Sequence, residues 1–302
     1  MVQLHSPMIY TIAGIAFFMF GMTLASKYLQ RLAANRITEL LGKLSDRPFL
    51  GVGVGVLLTV LIQSSGAVTS MLVGLGTAGV INLRQVMSVI LGTAIGTTVT
   101  VQLLSLNVAQ YGLAIFSFSF TVYFLTDKRV TRQIFGVLMG FGLIFWGLEL
   151  IGVGTESLRN SSIFVEYLDY LSENPIAVVA VSSIFTAIVH SSAATIGLAM
   201  SLTYSGLISF ESSLYWVYGA NIGTTATALL AAAGGNYIGR QVAWAHCFYK
   251  VIGVGVFYFL TPYFASLFSG ISVQRDIANA HTLFNIVLAL FFFPFIKIGS
   301  NF

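Results

Sequence analysis

Charge is what this chain has least of. Lys, Arg, Asp and Glu make up 8% of its 302 residues, against 57% hydrophobic residues. A soluble domain carries about 25% charged residues, so this composition excludes one. Cysteine is nearly absent: the single Cys247 rules out an intramolecular disulfide framework, and nothing argues for an oxidising compartment. Met1 to Pro7 has no basic n-region, so no cleaved signal peptide is expected. Gly-x-Ser-x-Gly, His-Glu-x-x-His, Cys-x-x-Cys and P-loop patterns are all missing. An enzyme is not expected, nor an organic cofactor.

What is present is a series of apolar runs of about 20 residues, the length that crosses about 30 Å of hydrocarbon. The chain reads as an all-α polytopic membrane protein with the lipid bilayer as its solvent. Full spans are expected at residues 8–26, 85–105, 108–126, 135–154, 213–233, 241–262 and 277–296. Lys27 to Arg47 alternates leucines with charges and reads as an amphipathic helix in the interface. Residues 48–81 and 175–208 are apolar but interrupted by small and polar residues.

Those two interrupted stretches are copies of each other. A shift of 127 positions maps Gln63-Ser64-Ser65-Gly66 onto His190-Ser191-Ser192-Ala193. Without a gap it also maps Gly92-Thr93-Ala94-Ile95-Gly96-Thr97-Thr98-Val99-Thr100 onto Gly219-Ala220-Asn221-Ile222-Gly223-Thr224-Thr225-Ala226-Thr227, and Pro48, Thr59 and Gly79 onto Pro175, Thr186 and Gly206. From residue 48 to 104, 17 of 57 pairs are identical, and matched serines and threonines are not what apolar composition produces by chance. The chain therefore divides into one repeat at 8–132 with a broken segment at 48–81, a second at 133–262 with a broken segment at 175–208, and an extra C-terminal helix in 263–302.

If each broken segment is a re-entrant hairpin, each repeat keeps three transmembrane helices, an odd number, and the two repeats have inverted topology. The charges test this. With Lys27–Arg47 in the cytoplasm, Lys27, Arg31, Arg36, Lys43, Arg47, Arg84, Lys128, Arg129, Arg132, Arg240 and Lys297 all fall inside, and only Arg159 and Arg275 outside. This satisfies the positive-inside rule. It places the N-terminus outside and the C-terminus in the cytoplasm, in an inner or plasma membrane. The net charge of +4 is thereby a topology signal, and no nucleic-acid partner is expected. A homo-oligomer is compatible with the chain.

Inverted halves with interrupted helices are a plan of secondary transporters, whose site lies at the repeat interface near mid-membrane. Positive helix N-termini with free N–H groups favour an anion. Serine hydroxyls donate to an oxyanion and can ligate a small cation. Gln63, Ser64, Ser65, Gly66, His190, Ser191, Ser192 and Ala193 are the candidate substrate site. Oxygen-bearing Gln63, Ser65, Thr97, Thr98, Ser192, Asn221, Thr224 and Thr225 are the candidate cation ligands. Asn221 stands where the first copy has Ala94, so divergence gives one repeat a ligand the other lacks. The same serines, threonines and glycines could simply glue helices together. Of the ionisable residues within spans, Glu149 and Lys250 read as snorkelling from helix ends. His246 and His281 read as helix–helix hydrogen-bonding groups.

At these residues the chain resembles the sodium-dependent phosphate cotransporter family, the type II Na/Pi symporters and their bacterial relatives. That family carries Gln-Ser-Ser-Ser in each of two inverted repeats, followed by Gly-Ala-Asn-Ile-Gly-Thr-Thr. The resemblance extends from about Gly14 to Asn285 and includes Gly142–Leu150 and Ala280–Asn285. It implies symport of inorganic phosphate with sodium as the coupling ion, both bound near the hairpin tips. Many bacterial relatives carry a soluble C-terminal domain, and none is expected here after Phe302. This chain departs from the motifs at Gly66, Ala193 and Thr93-Ala94, and His190 replaces a glutamine. Histidine can carry a proton near neutral pH, so a proton-coupled or outward phosphate transporter, or one for another oxyanion, is the alternative. A passive channel and an intramembrane serine hydrolase using His190 beside Ser191 or Ser192 are more remote, since neighbours on a helix point about 100° apart.

Overall fold

The computed structural model describes residues 7–42, 47–106, 108–158, 161–270 and 272–296. Lys43, Arg159 and Lys297 of the charge count lie outside them. All regular structure among the described residues is helical: thirteen α-helices and two single 3-10 turns. Five helices are long and apolar enough to cross a membrane: α1 (Pro7–Gly42), α4 (Leu83–Leu104), α6 (Arg129–Leu158), α12 (Tyr237–Ala265) and α13 (Val273–Phe292) with the 3-10 turn that follows it.

Three expectations change. The interfacial helix expected at Lys27–Arg47 is, through Gly42, the continuation of α1. No proline or glycine interrupts residues 27–41, and Arg36 and Glu39 pair one turn apart at 3.0 Å, so the helix runs on for 36 residues. The span expected at 108–126 is a 3-10 turn followed by α5 (Gly112–Leu125), only 14 residues, or about 21 Å. The span expected at 213–233 is divided at Thr224 into α10 (Phe210–Gly223) and α11 (Thr225–Ala232). There the Thr224 hydroxyl donates to the Ala220 carbonyl and Thr225 to that of Ile222, the back-bonding that loosens helices at threonine. The polar stretch before the second broken segment forms α7 (Ser162–Glu173), which meets α8 (Pro175–Val189) at 111°.

The duplication is visible in the backbone. Helices α2 (Pro48–Ile62) and α3 (Ser65–Thr77) have 15 and 13 residues, and so do α8 and α9 (Ser192–Tyr204). Both α2 and α8 start with proline at the first helical position, where its fixed φ and missing N–H are harmless. Among the described residues only Gln63 and His190 have positive φ without being glycine, at 60° and 56°. Gly79 and Gly206, after α3 and α9, are the left-handed glycines at 71° and 67°.

The contact that seats each broken segment is also duplicated. A Cβ on Gly92 of α4 would collide with the Val52 carbonyl of α2, and one on Gly96 with the Val56 carbonyl. In the second half Gly219 meets the Val179 carbonyl and Gly223 that of Ser183, the same four positions shifted by 127. Backbone touches backbone in both pairs, as small residues permit between membrane helices. Apolar side chains of α2, α3, α4, α10, α12 and α13 form one core, while α1, α6 and α9 share a second.

Gly92→Ala and Gly219→Ala should each destabilise the protein by about 1–3 kcal/mol, the cost of overpacking a tight contact. Melting temperature in detergent measures this. Gly74→Ala on α3, where a Cβ meets nothing within 4 Å, should stay within about 0.5 kcal/mol of the parent protein.

Candidate functional site

Each broken segment turns on two residues. Gln63 and His190 take the left-handed conformation that ends α2 and α8, and Ser64 and Ser191 are extended and begin the next helix. Ser64 Oγ accepts from the Ala67 N–H at 3.1 Å and Ser191 Oγ from the Ala194 N–H at 3.2 Å. The first serine of each pair is thus spent as an N-cap. The second, Ser65 or Ser192, is the first residue of the new helix, and its hydroxyl makes no hydrogen bond to another of the described residues.

The side chains at the turns are held by equivalent threonines. Gln63 Oε1 accepts from Thr100 Oγ1 at 2.9 Å, and Gln63 Nε2 donates to the Val60 carbonyl at 2.6 Å. His190 Nδ1 lies 3.4 Å from Thr227 Oγ1. Thr100 and Thr227 are repeat partners, so the imidazole takes the place of the glutamine amide in the same contact. Ser26 of α1 adds a bond without a counterpart: its hydroxyl donates to the Ile62 carbonyl at the end of α2, at 2.6 Å. In α6, where the glycine contacts repeat those of α1 at a shift of 126, Gly152 stands at the equivalent place.

Both turns open on one cavity of about 650 Å³. Gln63, Ser64, Ser65, Gly66, His190, Ser191, Ser192 and Ala193 all line it, with Thr97 and Thr224. The structure thus brings together every candidate substrate residue and five of the eight candidate cation ligands. Thr98, Asn221 and Thr225 are buried off the wall: Thr98 and Thr225 bond to their own helices, and Asn221 Oδ1 accepts from Lys250 Nζ at 2.7 Å. Lys250 does not snorkel. It is 3% exposed, on the inner face of α12.

The wall holds residues that sequence reasoning passed over. Thr59 and Thr100 line it, and Thr59 Oγ1 is buried without a hydrogen-bond partner. Both are identical in the two repeats, so the signal was present, but apolar flanks hide a single threonine. Lys27, Gln30 and Arg31 of α1 form an exposed rim. No Asp or Glu lines the cavity. Two helix N-termini, two uncommitted hydroxyls and a basic rim suit an anion rich in acceptor oxygens. With His190 directed to Thr227 and Ser191 to a backbone amide, neither neighbouring serine is hydrogen-bonded to the imidazole as a nucleophile to its base.

The sequence profile of the Na+/Pi-cotransporter family matches residues 17–153 and again residues 156–292. The chain belongs to that family. The boundary between the two matches falls in the last turns of α6, and the second match ends with α13. An uncharacterized Bacillus subtilis protein, YqeW, is 31% identical over 285 residues, covering 93% of this chain and 92% of its own. The putative inorganic phosphate export protein YjbB of Salmonella typhimurium is 24% identical over 298 residues, covering 98% of this chain and 55% of its own, so this chain spans about half of that relative. The human sodium-dependent phosphate transport protein 2B is 30% identical over 95 residues, 31% of this chain and 14% of its own. No solved structure matches. Membership of a transporter family, with several membrane-length helices, makes the chain a multi-pass membrane protein.

The division of labour within each Ser-Ser pair is testable by stability alone. Ser64→Ala and Ser191→Ala should each lower unfolding free energy by about 0.5–2 kcal/mol through loss of the cap. Ser65→Ala and Ser192→Ala should leave it nearly unchanged. A thermal-shift series in detergent without ligand reads both pairs.

Proposed function

We propose that this protein is a secondary active transporter of inorganic phosphate, coupled to sodium and working by alternating access between two inverted repeats. The observation that carries the reading is the meeting of both repeat turns, with their two uncommitted serine hydroxyls, in one cavity free of carboxylates. The family and the phosphate named in two relatives' descriptions supply the substrate.

The helix lengths support re-entrance. At 13 and 15 residues, α2, α3, α8 and α9 are each about 20–22 Å long, short of the about 30 Å a crossing needs. Two hairpins entering from opposite sides would meet tip to tip at the centre, with phosphate between the N-termini of α3 and α9. Sodium would use oxygens of the same tips: Gln63, Ser65, Thr97, Ser192 and Thr224. On the charge-based orientation the basic rim is cytoplasmic, so the state described here is open inward. A second cavity of about 530 Å³, lined by Gln110, Glu149, Glu156, Ser201 and Ser205, serves as the outer vestibule. Glu149 and Thr23 are repeat partners, and each lines the cavity of its own half. Transport then exchanges an open inner cavity for an open outer one around the same turns. The description of YjbB as an export protein favours a second reading of the same site, movement of phosphate outward.

Labelled phosphate in proteoliposomes under imposed Na+, K+ and pH gradients is the deciding experiment. Sodium-driven accumulation is expected, and Ser65→Ala or Ser192→Ala should cut its rate about tenfold or more, the worth of one hydrogen bond to a charged ligand. A rate that ignores both substitutions would refute the placement. A rate that ignores the sodium gradient would remove sodium as the coupling ion. For topology, single cysteines at Arg36 and Glu166 in a Cys247→Ala background should label with an impermeant reagent from opposite faces. Labelling from one face would refute inversion.

A further inference from the structure

Behind the cavity wall lies a buried lysine with no carboxylate partner among the described residues. Lys250 Nζ donates to Asn221 Oδ1 at 2.7 Å and to Asn285 Oδ1 at 2.8 Å. All three residues are buried, at 3%, 5% and 0% exposure. The groups around it are neutral or polar: Tyr249, whose ring centroid is 5.2 Å from Nζ, and His246 and His281, one turn earlier on α12 and α13. The Arg36–Glu39 ion pair lies far along α1.

The two asparagines are arranged to offer oxygen. Asn221 Nδ2 donates to the Val217 carbonyl and Asn285 Nδ2 to that of His281, each at 2.9 Å. With both amide N–H2 groups turned back onto their own helices, both carbonyl oxygens converge on one point between α10, α12 and α13. Two converging neutral oxygens in a dry interior form a site for a small monovalent cation, and the cation found there is the chain's own. The first repeat has nothing comparable. Ala94 stands there in place of Asn221.

We propose that Lys250 is a tethered cation occupying a monovalent-cation site built by Asn221 and Asn285, so that the second repeat carries a fixed positive charge where a mobile ion would otherwise bind. Asn221 lies one helical turn before Thr224, which lines the cavity. There the fixed charge supports an anion without an ion being loaded or released. This deepens the transport reading by assigning one coupling position to the protein itself, and it also accounts for Asn221 being absent from the cavity wall.

The test replaces the tether and asks whether sodium takes its place. Lys250→Ala and Lys250→Asn are purified in detergent, and melting temperature is followed in NaCl against equal choline chloride. The expected result is an added rise of about 3 °C or more in sodium beyond any rise shown by the parent protein, removed again in Lys250→Ala/Asn285→Leu. In proteoliposomes the same variants should show a steeper dependence of phosphate uptake on sodium. A folded variant whose sodium response equals the parent's would overturn the proposal. So would variants that fail to fold in both salts, because a cage that only exchanges cations is rescued by sodium. The stability readout needs no transport, so a protein inactive toward phosphate would sink the transport reading and still decide this one.

Discussion

A helix that stops inside hydrocarbon strands its last carbonyls and leaves the first amides of the next helix without partners. On the re-entrant reading, everything specific about this chain follows from stopping two helices there. The stranded groups are met locally. Ser64 and Ser191 cap the helices that begin, the Gln63 amide turns back onto the Val60 carbonyl, and Ser26 reaches from α1 to the Ile62 carbonyl. The bare backbones of α2 and α8 then need neighbours that can come close, which is why Gly92, Gly96, Gly219 and Gly223 carry no side chain into the contact. What stays unmet is small and aimed at the cavity: the first amides of α3 and α9 and the hydroxyls of Ser65 and Ser192.

Duplication solves this problem once and uses it twice, and divergence then works within the limits of that solution. The turns keep their φ and ψ to within a few degrees although glutamine has become histidine. The reason is that Thr100 and Thr227 hold whichever side chain stands there. Where no such constraint acts, the halves drift apart. Ser26 latches one hairpin to α1 and Gly152, without a side chain, cannot latch the other. α4 is continuous while its partner breaks at Thr224. The asymmetry matters because identical halves would make the two open states equally stable, and a bond present on one side only biases that balance.

The fold was legible where physical chemistry repeats itself in the sequence. Two copies of a polar motif in apolar surroundings could not be coincidence, and the structure places all eight residues of those motifs on one wall. Helix boundaries were less legible. Amphipathic spacing after Lys27 suggested a separate helix, but periodicity does not say whether a helix ends, and nothing in 27–41 ends it. The hydropathy of 213–233 likewise hid a break whose cause is threonine back-bonding. Asn221 shows a different limit. Its residue type suits an ion ligand, and its Oδ1 accepts from a lysine 29 positions later, a pairing no local pattern reveals.

The charges divide by depth in a way that suits an anion carrier. Lys27 and Arg31 stand at the exposed rim, where solvent screens them and they can steer an anion inward without holding it. Lys250 sits behind the wall, where low dielectric makes the same charge far stronger. A carrier needs both. A strong exposed charge would trap the anion at the mouth, and a weak buried one would leave the hairpin turns to meet the desolvation cost of phosphate with dipoles alone. Both oxygens on Lys250 belong to neutral amides, so on the tethered-cation proposal its charge would be left uncancelled and available to the ligand. That is the physical difference between this arrangement and a buried ion pair, which would stabilise the fold and contribute little to the ligand.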